Sequence, residues 1–199
     1  ERHGLSEDDA DSILETARVA LKSVRSRRVH PSLDDKILAS WNGLMIAGLA
    51  HAGRLLGDVS MIQSARTAAD TLLRRMLAPD GRLLHRMRND EVGIDGFLED
   101  YAFVAWGLVE LYAATFELDY LERAVSLAEI MLDLFGDTSS GALRFSSRSG
   151  EILIANTVDL HDGALPSGNG AAAFVLARLA RLTGRTDLEN RDVSILRAA

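Results

Sequence analysis

The feature that most constrains this chain is an internal repeat. Placing Tyr101 on Asn42, a shift of 59 residues, also places Ala124 on Ala65. Placing Asn169 on Asn42, a shift of 127, puts Gly184 on Gly57, so the second unit is 68 residues long, its extra length lying in the polar segment from Ser146 to Asp162. Each unit opens with a segment that is apolar in nearly every helical direction. Between Ser40 and Leu56 these residues are Leu44, Met45, Ile46, Ala47, Leu49, Ala50 and Ala52, a pattern that implies burial on several sides. A one-sided segment follows from Met61 to Leu77, with Ile62, Ala65, Ala69, Leu72, Leu73 and Met76 on one stripe and Arg66, Asp70 and Arg74 opposite. The same pair recurs as Leu98–Thr115 and Tyr120–Phe135, and a third opens at Pro166-Ser167-Gly168-Asn169.

A leading helix precedes the repeat. Ser6, followed by Asp9, resembles a capping box, and Ile13, Leu14, Ala17, Leu21 and Val24 carry a helical stripe from Glu7 to Ser26. The cations Lys22, Arg25, Arg27 and Arg28 crowd its end, which suits helix termination before Pro31 better than an anion site. Between paired helices, Pro79-Asp80-Gly81 and Asn89-Asp90 read as turns around a short strand at Leu83–Arg86, and Ser140-Gly141 precedes another near Leu143–Phe145.

A period of about 60 residues, built from one all-round apolar helix, one amphipathic helix and a short β insert, predicts helical hairpins in series. The inequality of the two helices sets how they close. First helices covered on both sides form an inner ring and second helices an outer one, so the expected fold is all-α, an α/α toroid with short β-hairpin inserts. The chain supplies hairpins at 40–77, 98–135 and 167–199 and a leading helix at 7–26, about half of a six-hairpin ring. All of 1–199 is thus expected to be one partial toroid domain. Its open edges should expose apolar surface, so either a homodimer through those edges or a missing remainder of the chain is expected. The sequence also begins without Met and ends at Ala199 with no terminating signal, which suggests a piece of something longer.

Composition narrows the function. A formal net charge of −7 with a pI near 5.2 disfavours nucleic acid as a partner. No cysteine is present, which excludes disulfides and thiolate chemistry within these residues and agrees with a cytoplasmic location. No apolar run reaches the length of a membrane span, and no signal peptide core is evident. His3, His30, His51, His85 and His161 show no metal-ligand spacing, so neither a metal site nor a cofactor is expected. His51, on an apolar inner helix, reads as a satisfied core residue, the alternative being a proton-transfer base.

In a toroid the N-termini of the inner helices face one mouth, which brings residues distant in sequence together. Before the first inner helix stand Asp34, Asp35, Lys36, Trp41 and Asn42; before the second, Asp95, Phe97, Glu99, Asp100 and Tyr101; before the third, Asp159, His161, Asp162, Ser167 and Asn169. Carboxylates, amides and aromatic faces in one opening suit a neutral polyol such as a saccharide. Asp35, Glu99 and Asp100 are the candidate acids and bases, as glycoside chemistry requires, and Trp41 and Tyr101 the candidate stacking surfaces. Asp34, Lys36, Asn42, Asp162, Ser167 and Asn169 complete the candidate binding set. The competing reading is structural: acids at helix N-termini cap backbone N–H groups without any substrate, and Asp34-Asp35-Lys36 forms an internal ion pair. The domain would then be a non-catalytic platform.

Three segments carry a family resemblance: Asp34-Asp35-Lys36-Ile37-Leu38-Ala39-Ser40-Trp41-Asn42-Gly43-Leu44-Met45-Ile46, Gly96-Phe97-Leu98-Glu99-Asp100-Tyr101-Ala102-Phe103, and Asp162-Gly163-Ala164-Leu165-Pro166-Ser167-Gly168-Asn169. They resemble the thioredoxin-domain-containing family that includes the bacterial YyaL proteins and the spermatogenesis-associated thioredoxin-like proteins. The resemblance runs from Gly4 to about Gly184 and departs at Leu165 and Gly170, where the family carries Glu and Ser. It implies a domain like those of six-hairpin glycosidases and N-acylglucosamine 2-epimerases, and an N-terminal thioredoxin-like domain, absent from these residues, as a partner within the longer chain.

Overall fold

A computed structural model describes residues 4–137, 140–148 and 157–198. It divides after Asp35 into two compact units. The first contains helix α1 (Glu7–Ser26), capped as expected by Ser6, whose Oγ accepts from the Asp9 N–H at 3.1 Å and donates to Asp9 Oδ2 at 2.6 Å. None of its residues is buried, and the stripe of Ile13, Leu14, Leu21 and Val24 is exposed.

The second unit runs in order β1 (Ile37–Leu38), α2 (Ala39–Leu56), α3 (Val59–Arg75), β2 (Leu84–Arg88), β3 (Glu91–Asp95), α4 (Leu98–Thr115), α5 (Leu118–Phe135), α6 (Gly168–Thr183) and α7 (Thr186–Ala198). The expected helices are all present, and the tail after Gly184, weakest in its resemblance, forms the outer helix α7 by burying Leu188 and Ile195. The inequality of helix types is realised most fully at the centre. Twelve of the 18 residues of α4 are buried, on all faces, whereas α5 buries a single stripe through Tyr120, Ala124, Leu127, Met131 and Phe135. Helices α2 and α6 flank α4 and keep apolar residues exposed at the edges of the half-ring, among them Trp41, Met45 and Leu55 on one and Phe174 and Leu182 on the other.

Glycine sets how closely the inner helices approach. A Cβ on Gly43 would lie 2.5 Å from the Phe103 carbonyl carbon, and one on Gly107 would lie 2.8 Å from the Gly43 carbonyl oxygen, so α2 and α4 touch backbone to backbone. The ends of the inner helices repeat as well. Gly57, Phe116 and Gly184 terminate α2, α4 and α6 in the left-handed region, with φ of 68°, 58° and 73°.

The β inserts differ in part from expectation. The strand expected at Leu83–Arg86 is the middle of a three-stranded antiparallel sheet, β1-β2-β3, in which Ile37 pairs with Met87 and Leu84 with Asp95. Asn89 and Asp90, both with positive φ, form the tight turn between β2 and β3. The strand expected near Leu143–Phe145 is reduced to one bridge between Gly136 and Leu143. Its next N–H groups diverge, Arg144 to the Phe135 carbonyl and Phe145 to the Thr157 carbonyl, so no ladder continues.

Candidate functional site

The inner-helix starts of the second unit do converge, and Asp100 is where the first two meet. It is 1% exposed in the first turn of α4. Its Oδ1 accepts from the Ser40 N–H of α2 at 2.9 Å, and its Oδ2 accepts from the Phe97 N–H and faces His85 Nδ1, both at 2.9 Å. A buried carboxylate thus joins α2, α4 and β2, offsetting its desolvation with three donors. Both oxygens are occupied, so Asp100 is a holding group in this arrangement.

Glu99 behaves differently. It is half-buried, and burial, reinforced by the negative charges of Asp100 and Asp159, raises its pKa above the ordinary value, while His85 acts in the opposite sense. It packs where α4 meets α6, since a Cβ on Gly168 would lie 2.9 Å from Leu98 Cγ and 3.3 Å from Glu99 Cγ. An aromatic row borders it: the His85 ring stands edge-on to Phe97 at 5.1 Å, and Phe97 stacks on Phe145 at 5.2 Å.

The third start is tied by its own polar groups. Ser167 caps α6 by accepting from the Gly170 N–H at 3.0 Å, and its own N–H donates to Asp162 Oδ1 at 2.8 Å, which holds the Asp162 pKa below the usual carboxylate value. Asn169 is 1% exposed, with Oδ1 accepting from the Leu143 N–H and Nδ2 donating to the carbonyls of Leu143 and Asp159. All of its bonds hold the insert to the helix. It is a clasp, not a ligand-facing amide.

Two further candidates are corrected by burial and bonding. Tyr101 is not a stacking surface: it is 1% exposed, lies edge-on to Phe135, and its hydroxyl accepts from the Leu83 N–H at 2.8 Å, burial pushing its pKa up to about 12. Asn42 donates to the Leu38 carbonyl at 2.8 Å and lines a groove between α2 and α3, away from the other starts. Phe97 and Phe145 supply the aromatic surface that Tyr101 does not. Trp41 is 63% exposed in the first turn of α2. Lys36 and Asp95 are exposed, as are Asp159 and His161, and Asp34 and Asp35 are exposed residues of the first unit.

A second constellation lies farther along the inner helices and escaped the sequence reading. His51 of α2 is not a core residue. Its side chain is 52% exposed, and Nδ1 faces Glu110 Oε2 of α4 at 3.3 Å, while Arg178 of α6 pairs with Glu110 Oε1. Trp106 and Phe174 meet at 4.9 Å beside them, and with Leu44, Ala47 and Gly48 they line a cavity of about 330 Å³. Among the described residues, no three His, Asp or Glu side chains group closely enough to hold a metal ion, and no helix is long and apolar enough to cross a membrane.

Inner and outer helix layers, short β inserts and a polar mouth define the class: an α/α toroid of the six-hairpin glycosidase-like kind, present here as about half a ring. Solved structures of that class superpose on it. Cellobiose 2-epimerase from Bacillus thermoamylovorans matches with a TM-score of 0.69 at 17% identity over 83% of this chain and 45% of its own. The family 76 glycoside hydrolase (mannosidase) from Bacteroides thetaiotaomicron matches with a TM-score of 0.65 at 17% identity over 85% of this chain and 45% of its own. No family model matches the sequence. By sequence the chain is similar to spermatogenesis-associated protein 20: it is 38% identical to the protein from Rattus norvegicus over 99% of its own length. It spans about a quarter, 26%, of that relative.

Proposed function

We propose that the domain binds and processes a carbohydrate at the mouth formed by the starts of α4 and α6 and the β2–β3 insert. The observation that carries this reading is the division of its two adjacent acids. Asp100 is locked by three donors, whereas Glu99, half-buried beside it, has a raised pKa and no hydrogen-bond partner among the described residues. A carboxyl group whose pKa is raised is suited to donate a proton to a departing or ring oxygen. The Phe97–Phe145 stack and the exposed Trp41 offer apolar faces for sugar rings. Carbohydrate enzymes among the structural neighbours, cellobiose 2-epimerase and a mannosidase among them, support the class of ligand by analogy of fold.

The test is calorimetric titration of the complete protein with cellobiose, D-mannose and mannose oligosaccharides, repeated with Glu99→Gln and Trp41→Ala. Saturable heat that weakens in the Trp41 variant is the expected result. Absence of heat with every sugar would favour the platform reading, in which Asp100, Asp162 and Asn169 serve only to fasten helix starts.

A further inference from the structure

The mouth contains a titratable group that neither the repeat nor the family resemblance marks. His85 lies on β2, in the insert rather than on an inner helix, and its Nδ1 is 2.9 Å from Oδ2 of the buried Asp100. An ionised carboxylate accepts and does not donate, so the proton of a neutral His85 ring sits on Nδ1 and Nε2 keeps its lone pair. Asp100 has little freedom to do otherwise, because the Ser40 and Phe97 N–H groups fix both its oxygens. The ring is oriented as well as tautomerically set, since Phe97 packs against it at an interplanar angle of 75°. The His85 side chain keeps 24% of its surface accessible, and no other hydrogen bond among the described residues engages it. Opposite His85 across the β2–β3 ladder, Ile94 is held at a φ of 65°, a conformation costly for a β-branched residue.

From this geometry we infer that His85 is the general base of the mouth and Asp100 its positioning residue. The inference rests on the carbohydrate reading above and deepens it by separating three roles: His85 accepts a proton, Asp100 orients and balances it, and Glu99 is the proton donor. In the step assigned to His85, the Nε2 lone pair forms an N–H bond with the proton of a ligand hydroxyl. The O–H bond breaks, its electron pair remains on the ligand oxygen, and the imidazolium charge is met by Asp100. A paired buried acid and a histidine with an unprotonated outer nitrogen is an arrangement that turns an imidazole into a base at neutral pH. The titratable groups that face His85 are Asp100 in direct contact and Glu99 at the start of α4.

The experiment uses the complete protein and whichever of cellobiose, D-mannose or a mannose oligosaccharide it converts, followed by proton NMR. Nitrogen-15 spectra of the histidine ring are recorded alongside. The expected results are an Nδ1–H tautomer for His85, and for His85→Gln a fall in kcat of about 100-fold or more with KM little changed, the size expected for loss of a general base. Glutamine keeps a donor toward Asp100, so the fold should survive. In Asp100→Asn the tautomer should shift and the acidic limb of the kcat profile should move, which a merely structural role would not produce. Retention of kcat within a few-fold in His85→Gln, or an Nε2–H tautomer in the parent protein, overturns the assignment while leaving the carbohydrate reading intact. If no sugar is bound or converted by the parent protein, both fall together.

Discussion

His51 and Glu110 face each other at 3.3 Å from equivalent positions of successive units, their separation of 59 residues being the repeat shift itself. Arg178 completes the row 68 residues farther on, the length of the second unit. Each inner helix therefore offers one polar side chain at the same level of an otherwise apolar wall, and Glu110, with its side chain only 4% exposed, depends on the other two. Replacing Arg178 with Leu should leave that carboxylate with His51 alone. The expected loss is about 2–3 kcal/mol in denaturant unfolding, at or below the low end for a broken buried pair because Arg178 is partly solvated. Replacing Glu110 and Arg178 together, with Gln and Leu, should cost less than the sum of the single changes.

The contact of α2 with α4 predicts a sharper effect. Gly43→Ala drives a methyl group into the Phe103 and Val104 backbone, which cannot rotate away. Destabilisation of at least ~3 kcal/mol is expected, the upper part of the range for overpacking, and Gly48→Ala, whose Cβ would meet nothing within 4 Å, serves as the control on the same helix.

Phe116 is the repeat's misfit. It occupies the left-handed cap position that Gly57 and Gly184 fill in the other units, at a φ of 58° and 78% exposed. Phe116→Gly should raise stability by about 0.5–1 kcal/mol, the relief of backbone strain exceeding the loss of an exposed edge contact with Tyr112. A higher thermal midpoint checks this.

Glu99 predicts a pH dependence of stability with a definite sign. Its pKa is raised in the folded protein, so the folded state binds the proton more tightly and loses stability as pH rises from the ordinary value of 4.5 through the raised one. Glu99→Gln should therefore unfold at a higher temperature than the parent at neutral pH, the difference fading as pH falls well below the ordinary value of 4.5, where the carboxyl is neutral in both folded and unfolded states. An equal gain at every pH would show that burial of the charge is not its source.

The helices and their layering were legible in the sequence because periodicity reports burial directly: α4 reads as apolar in every direction and is buried in every direction. Side-chain roles at the mouth were less legible. Tyr101 and Asn169 look like ligand-facing groups at helix starts, but each finds a backbone partner in the preceding insert, Leu83 and Leu143, and that pairing depends on how the insert folds back. His85 was overlooked for the same reason, since nothing in a five-residue strand announces that it returns to the start of the next helix. The row of His51, Glu110 and Arg178 did carry a signal. Polar residues at one register in three apolar helices could have been found by applying the shifts of 59 and 127 to His51.

Those fastenings at Tyr101 and Asn169 bear on how such a domain changes over generations. Each clamps the root of an insert to the helix that follows, Leu83 to α4 and Leu143 to α6, so the anchorage does not depend on the residues farther out in the insert. Residues of the inserts can then be exchanged like interchangeable bits in a fixed chuck, with the layered helices left untouched.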